Sequence, residues 1–179
     1  MKTILWAILS ANGNYAQRYP SKEAFDDFTA HVGRSGNFIA GRKTFELIRA
    51  NENRGPGDTA HAFTKTDIVV LSNRGGSIPG VTVVGSPQEA LKYLSAKGHQ
   101  MALIAGGEKT HNAFLAENLV DELVFNITPT LESEGLKILL PKDSFMEINL
   151  LTFSELGSGL VQLHYAIQGE VGDGTNRTR

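Results

Sequence analysis

Phe38-Ile39-Ala40-Gly41-Arg42-Lys43-Thr44-Phe45-Glu46 is the stretch on which the fold turns. Its apolar run is too short for a helix. It passes through one glycine into a segment where Phe45 and Ile48 recur at helical spacing, so a short buried strand runs straight into a helix. The same grammar repeats on both sides. Upstream, Ile4 to Leu9 is apolar on both pleat faces, as in a central strand covered on both sides, and Asn12-Gly13 reads as a turn. Ser21 can cap a helix carrying Phe25, Phe28 and Val32.

Downstream, Asp67 to Leu71 is a strand that ends at Ser72-Asn73-Arg74-Gly75-Gly76, and Val81 to Val84 is another. Ser86, Pro87 and Glu89 spell a capping box opening a helix with Ala90, Leu91 and Leu94, and Gly98 stops it. Ala102 to Ala105 leads to Gly106-Gly107 and a helix with Phe114, Leu115 and Leu119, and Leu123 to Ile127 follows as a strand. Glu147 to Glu155 and Leu160 to Gln168 then alternate, with Val161, Leu163, Tyr165 and Ile167 on one face, and Gly157-Ser158-Gly159 joins them as a hairpin. Asn51 to Thr66 reads as a long surface loop. Strand–helix units closing on an antiparallel hairpin predict an α/β fold with a mostly parallel sheet and a mixed edge. One domain is expected over residues 1–168, with a polar tail over 169–179.

Composition narrows the function. The 179 residues are 41% hydrophobic and 20% charged, an ordinary globular mix. Lys plus Arg is 17 against 19 Asp plus Glu, a net charge of −2. That balance lacks the electrostatic footprint of a general nucleic-acid or anionic-membrane binder. With no cysteine, disulfides, thiolate metal sites, cysteine nucleophiles and the zinc deaminase signature are excluded. His31, His61, His99, His111 and His164 show no metal spacing, so no metal is expected. Lys2-Thr3 before Ile4 to Leu9 mimics a signal peptide, but a buried first strand explains the run better. The sequons at Asn126 and Asn176 therefore carry little weight, and a cytoplasmic location is expected.

In parallel sheets ligands bind beyond the carboxyl ends of the strands. Three junctions there share a character: Gly41-Arg42-Lys43-Thr44, Ser72-Asn73-Arg74 and Gly106-Gly107. Each joins flexible residues to hydrogen-bond donors. Glycine lets backbone N–H groups approach an anion, and a helix N-terminus adds partial positive charge. The rival reading is solvated cations beside turn-forming glycines. Other phosphate and nucleophile motifs fail. Gly36 to Thr44 nearly spells a P-loop, but an arginine separates the second glycine from the lysine and the spacer is an apolar strand. Neither Gly-x-Gly-x-x-Gly nor Gly-x-Ser-x-Gly occurs.

Taken in order, Ser10-Ala11-Asn12-Gly13, Phe38 to Glu46, Val70 to Arg74, Ile104 to Gly107, Phe114 to Leu123, Pro129 and Gly135 resemble the dihydrofolate reductase-like superfamily. The branch most similar is the reductase domain of the bifunctional riboflavin-biosynthesis deaminase-reductase. The resemblance implies an eight-stranded mixed sheet, NADPH as cofactor, and a homodimer. It implies hydride transfer to a pterin or a ribosylaminopyrimidine, with the same pocket holding a nucleotide without turnover as the alternative. By matched position, Gly41, Arg42, Lys43 and Thr44 would hold the pyrophosphate and ribose phosphate. Leu71, Ser72, Asn73 and Arg74 would flank the adenosine end. Gly106-Gly107 would form a cis peptide beside the cofactor, with Glu108, Lys109 and Thr110 following, and Ala7, Asn12 and Gly13 would border the nicotinamide.

Two departures bear on the chemistry. Glu108 stands where a third glycine is usual, and a carboxylate there repels a pyrophosphate unless Lys109 offsets it. Asn12 stands where an aspartate is frequent. Dihydrofolate reductases also carry an acid on the first helix that protonates or orients the pterin. Here Glu23, Asp26 and Asp27 all lie on that helix; Asp26 and Asp27 are the candidates for protonation, and a solvated helix face is the competing reading. His111 is read either as a substrate-side contact or as a half-exposed surface histidine.

Overall fold

The computed structural model describes residues 1–16, 21–52, 63–168 and 172–173. In chain order the elements are β1 (Lys2–Ser10), α1 (Lys22–Ser35), β2 (Asn37–Gly41), α2 (Arg42–Glu52), β3 (Asp67–Leu71), β4 (Thr82–Val84) and α3 (Pro87–Ala96). There follow β5 (Met101–Gly106), α4 (Glu108–Ala116), β6 (Glu122–Thr128), β7 (Ser144–Phe145), β8 (Ile148–Gly157), β9 (Leu160–Ile167) and β10 (Gly172–Asp173). An eight-stranded sheet runs β4-β3-β2-β5-β1-β6-β9-β8. It is parallel from β4 to β6, and β9 and β8 join antiparallel. The α/β expectation holds, with the hairpin forming the mixed edge. Sequence reading missed β7 and β10, which pair with each other.

The central position of β1 explains its composition. Leu5, Ala7 and Leu9 point into one layer with Ala90 and Leu94 of α3 and Phe114 and Leu115 of α4. Ile4 and Trp6 point into the other with Phe28 and Val32 of α1 and Phe45 of α2. Both faces are therefore dry, and alternation disappears. Local signals end the helices as read. Ser21 Oγ accepts from Ala24 N at 3.2 Å, and Gly36 closes α1 with φ +67° and its N–H on Val32 O. At α3 the capping box is displaced by one residue. Ser86 Oγ accepts from Glu89 N at 3.2 Å, but the Glu89 carboxylate accepts from Gly85 N at 2.8 Å, not from the cap itself.

Two further expectations change, and the low weight given to the Asn126 sequon is supported. Helix α2 continues to Glu52, so the loop begins later than the composition suggests. Phe63 is buried against Phe28 and Phe38, with ring centroids 5.8 and 5.4 Å apart. The sequon residue Asn126 is fully buried within β6 and cannot accept a glycan in the folded chain. His61, Asn176 and most of the 169–179 tail lie outside the described residues. Among the described residues, no helix is long and apolar enough to cross a membrane.

Candidate active site

Strand order brings the three donor-rich junctions together, because β3, β2 and β5 are neighbours. Gly41 pairs with Leu71 and Ala40 with Gly106, so the strands end nearly level on one rim. The junctions are then stitched directly. Gly107 N donates to Thr44 Oγ1 at 2.8 Å, and Arg42 Nη2 donates to the Gly75 carbonyl at 2.8 Å. Two close approaches require glycine. A Cβ on Gly41 would lie 2.9 Å from Thr110 Oγ1, and one on Gly107 2.9 Å from Thr44 Oγ1. Lys43, Asn73, Arg74 and Lys109 are exposed around this rim, while Leu71, Ser72 and Glu108 are half-buried.

The Gly106-Gly107 peptide is cis. Behind it His111 is not on the surface: at 1% exposure it is buried, and this corrects the half-exposed reading. Its Nε2 lies 3.1 Å from the Ile104 carbonyl, which can only accept. Nε2 therefore carries the proton, and Nδ1 accepts from the Tyr15 hydroxyl. Burial holds the ring neutral, its pKa pulled down to about 4. Burial and the nearby Glu108 carboxylate push the Tyr15 pKa up in turn. The ring supports the glycine turn from within. The helical spacing of His111 with Phe114 and Leu115 was the missed signal.

Two predictions follow from this packing. Gly106 has φ +97°, and a Cβ there would lie 2.7 Å from His111 Cε1. Gly106→Ala should cost about 2–4 kcal/mol from left-handed backbone plus overpacking. Differential scanning calorimetry should show Tm lower by roughly 5–15 °C. The second concerns acid. An unfolded histidine protonates near its ordinary value, whereas the folded ring resists down to about 4. The contribution of His111 is present above that ordinary value, and as pH falls towards 4 about 3 kcal/mol is lost. The ring Cε1–H resonance should titrate near pH 4; a midpoint near the ordinary histidine value would refute the burial argument.

On the other side of β1, the expected nicotinamide border divides in two. Ala7 is buried within the α3–α4 layer, so its side chain serves the core. Asn12 and Gly13 are exposed in the loop after β1. Asn12 Nδ2 donates to the Glu132 carbonyl at 2.7 Å, and its Oδ1 accepts from Glu132 N at 3.1 Å. This paired contact ties the loop after β1 to the loop after β6. An aspartate could accept from the N–H but could not donate to the carbonyl, which gives the asparagine a structural reason.

Helix α1 separates its acids. Asp26 is exposed and pairs with Lys22 one turn away. Glu23 accepts from Ser158 Oγ at 2.8 Å and ties α1 to the β8–β9 turn. Asp27 points inward, its side chain 13% exposed. Its Oδ2 accepts from Trp6 Nε1 at 2.8 Å and Asn126 Nδ2 at 2.9 Å. Gln162 Nε2 donates to Asn126 Oδ1 at 3.0 Å, which leaves the Asn126 amide nitrogen for Asp27. Asn126 lies two residues before the end of β6, so this carboxylate sits just below the rim. The solvated-face reading holds for Asp26 and fails for Asp27. Trp6, Asn126 and Gln162 were missed as site residues. Their signal was a polar side chain at an inward position of an otherwise apolar strand.

Sheet order, antiparallel closing hairpin and glycine-built rim together define the dihydrofolate reductase-like fold. A sequence model of the RibD C-terminal domain matches residues 8–161. The chain belongs to this family, a reductase-like family of riboflavin biosynthesis. Solved structures share the fold at low identity. A protein assigned to riboflavin biosynthesis in Shewanella sp. PV-4 is 24% identical with a TM-score of 0.74, over 94% of this chain and 100% of that one. A pyrimidine reductase-like protein of Corynebacterium diphtheriae is 17% identical with a TM-score of 0.69, over 94% and 92%. RibD of Acinetobacter baumannii is 18% identical with a TM-score of 0.72, over 94% of this chain but 58% of that one. No curated protein matches the chain.

Proposed function

We propose that this chain is an NADPH-dependent reductase that transfers hydride to a small heterocycle of the pterin or ribosylaminopyrimidine type, in riboflavin or folate biosynthesis. The observation that carries this reading is the meeting of two helix N-termini and their cations at one rim. Helix α2 begins with Arg42 and Lys43 and has no acid in its first turn. Helix α4 opens at Gly107, whose N–H is held by Thr44 Oγ1, with Glu108 and Lys109 of opposite charge at its first two positions. Arg42 Nε is buried with no hydrogen-bond partner among the described residues, a donor left unspent. Such a rim suits a doubly anionic ligand bearing a further phosphate.

Arg42, Lys43 and Arg74 would hold the phosphates, and the glycines of the rim would let the backbone come close. NADPH supplies the hydride when bound. The chain orients the reactants, excludes water through the apolar layers around Trp6 and Ala7, and offers Asp27 for the proton. Titration calorimetry with NADPH, then a steady-state assay of its oxidation with pterin and pyrimidine substrates, tests the reading. Binding with oxidation is expected. No heat from either pyridine dinucleotide would sink it, and tight binding without oxidation would leave a nucleotide-binding module.

The proposal includes a cytoplasmic location, which suits a chain without cysteine, and a homodimer. What supports the dimer is β8, an edge strand with Leu150, Leu151 and Phe153 exposed and Phe153 at 74%. An antiparallel edge is self-complementary about a two-fold axis, so a second copy fits it. Light scattering should give twice the 19.4 kDa chain mass. Phe153→Glu should return it to one chain; a wild-type monomer would refute the assembly.

A further inference from the structure

We propose that His31 is a positioning residue for proton delivery, holding one exchangeable proton jointly with Asp27 inside the interface of α1 with β6 and β9. This rests on the reductase reading above. The two residues are one helical turn apart, with His31 Nε2 3.6 Å from Asp27 Oδ1. Asp27 Oδ2 is committed to Trp6 and Asn126, so Oδ1 is the oxygen left to exchange a proton. His31 is 8% exposed, and its Nε2 is buried without a hydrogen-bond partner among the described residues. An orphaned donor beside an uncommitted carboxylate oxygen is costly unless it is used. The gap exceeds a hydrogen bond by a few tenths of an ångström, which a small side-chain rotation closes.

The groups facing His31 are Asp27 and Arg34 of its own helix and His164 of β9; His164 is in turn paired with Glu122 of β6 at 2.9 Å. Burial, Arg34 and His164 all disfavour a charged imidazole, and Asp27 alone favours it. A proton on His31 is therefore held by Asp27 and readily surrendered to it.

The step balances. Reduction adds a hydride, from a reduced pyridine dinucleotide, to the carbon of a C=N or C=O bond of the substrate. The proton leaves Asp27 Oδ1 for the nitrogen or oxygen, giving CH–NH or CH–OH. The emptied pair, a carboxylate beside a neutral imidazole, then regains its one proton from water, taken up at His31 Nε2 and passed to Oδ1. Both N–H donors meet Oδ2, so a proton in the site has two places to rest, Asp27 Oδ1 and His31 Nε2. A proton shared between two sites is retained to higher pH than on either site alone.

Two measurements test this. Proton NMR of the ring Cε1–H across pH, in the ligand-free protein, reads the coupling without any turnover; the resonance is assigned by its loss in His31→Gln. Asp27→Asn should lower the His31 pKa by about one unit, the usual size for losing an opposite charge at this range. In the assay, His31→Gln should move the alkaline limb of the kcat profile to lower pH by about one unit, with NADPH affinity unchanged. An identical His31 titration in Asp27→Asn and wild type overturns the proposal. So does a His31→Gln profile that superimposes on wild type. Absence of any dinucleotide oxidation by the wild-type protein instead overturns the reductase reading, and the NMR result still decides whether the pair is coupled.

Discussion

Arg42→Ala should weaken NADPH binding by roughly 10- to 100-fold and leave NADH nearly unchanged. The arginine sits at the first position of α2, its guanidinium against the loop after β3, where Nη2 reaches the Gly75 carbonyl. Only NADPH carries the ribose phosphate that this charge would read. A charge-assisted hydrogen bond contributes about 1.5–3 kcal/mol, and about 1.4 kcal/mol corresponds to a decade of affinity. Truncation also frees the Gly75 carbonyl, but that carbonyl is exposed and water replaces the lost donor. Titration calorimetry with both dinucleotides checks the outcome. Equal loss for the two would show that Arg42 does not distinguish them.

The second large effect is expected at Asp27. Asp27→Asn should lower kcat by roughly 100-fold or more, the usual contribution of a positioned acid, with little change in NADPH affinity. The fold should survive, because the asparagine carbonyl can still accept from Trp6 Nε1 and Asn126 Nδ2. Asp26→Asn is the control. That side chain is exposed and pairs with Lys22, so kcat should change less than twofold, since an exposed helix ion pair contributes about 0.3–0.5 kcal/mol. Single-turnover kinetics with Tm measured alongside separates lost chemistry from lost stability. If both variants behaved alike, the proton would have to come from elsewhere.

The two acids show where sequence reading stops. They are adjacent on one helix, and helical spacing alone left three carboxylates as candidates. Choosing between them needed the position of α1 over β1 and β6, because only that packing turns Asp27 towards Trp6 and Asn126. His111 shows the same limit. A histidine in the first turn of a helix is compatible with surface or interior, and the packing of α4 on β5, where Ile104 offers its carbonyl, decides. The strands were legible for the opposite reason. Burial on both faces leaves a local mark, an unbroken apolar run, that no distant residue is needed to interpret.

From the sequence alone came the order of strands and helices, the caps, the three donor-rich junctions and the family likeness, since these rest on residues adjacent or one turn apart. Tertiary structure decided which strands are neighbours, and so that three separated junctions form one rim. It also turned Asp27, and not Asp26, inward towards Trp6 and Asn126. Those outcomes depend on contacts between residues as much as 99 positions apart, as in Asn126 with Asp27. A chain's local spacing carries no record of which side chain another element will bring to meet it, and packing supplies that choice.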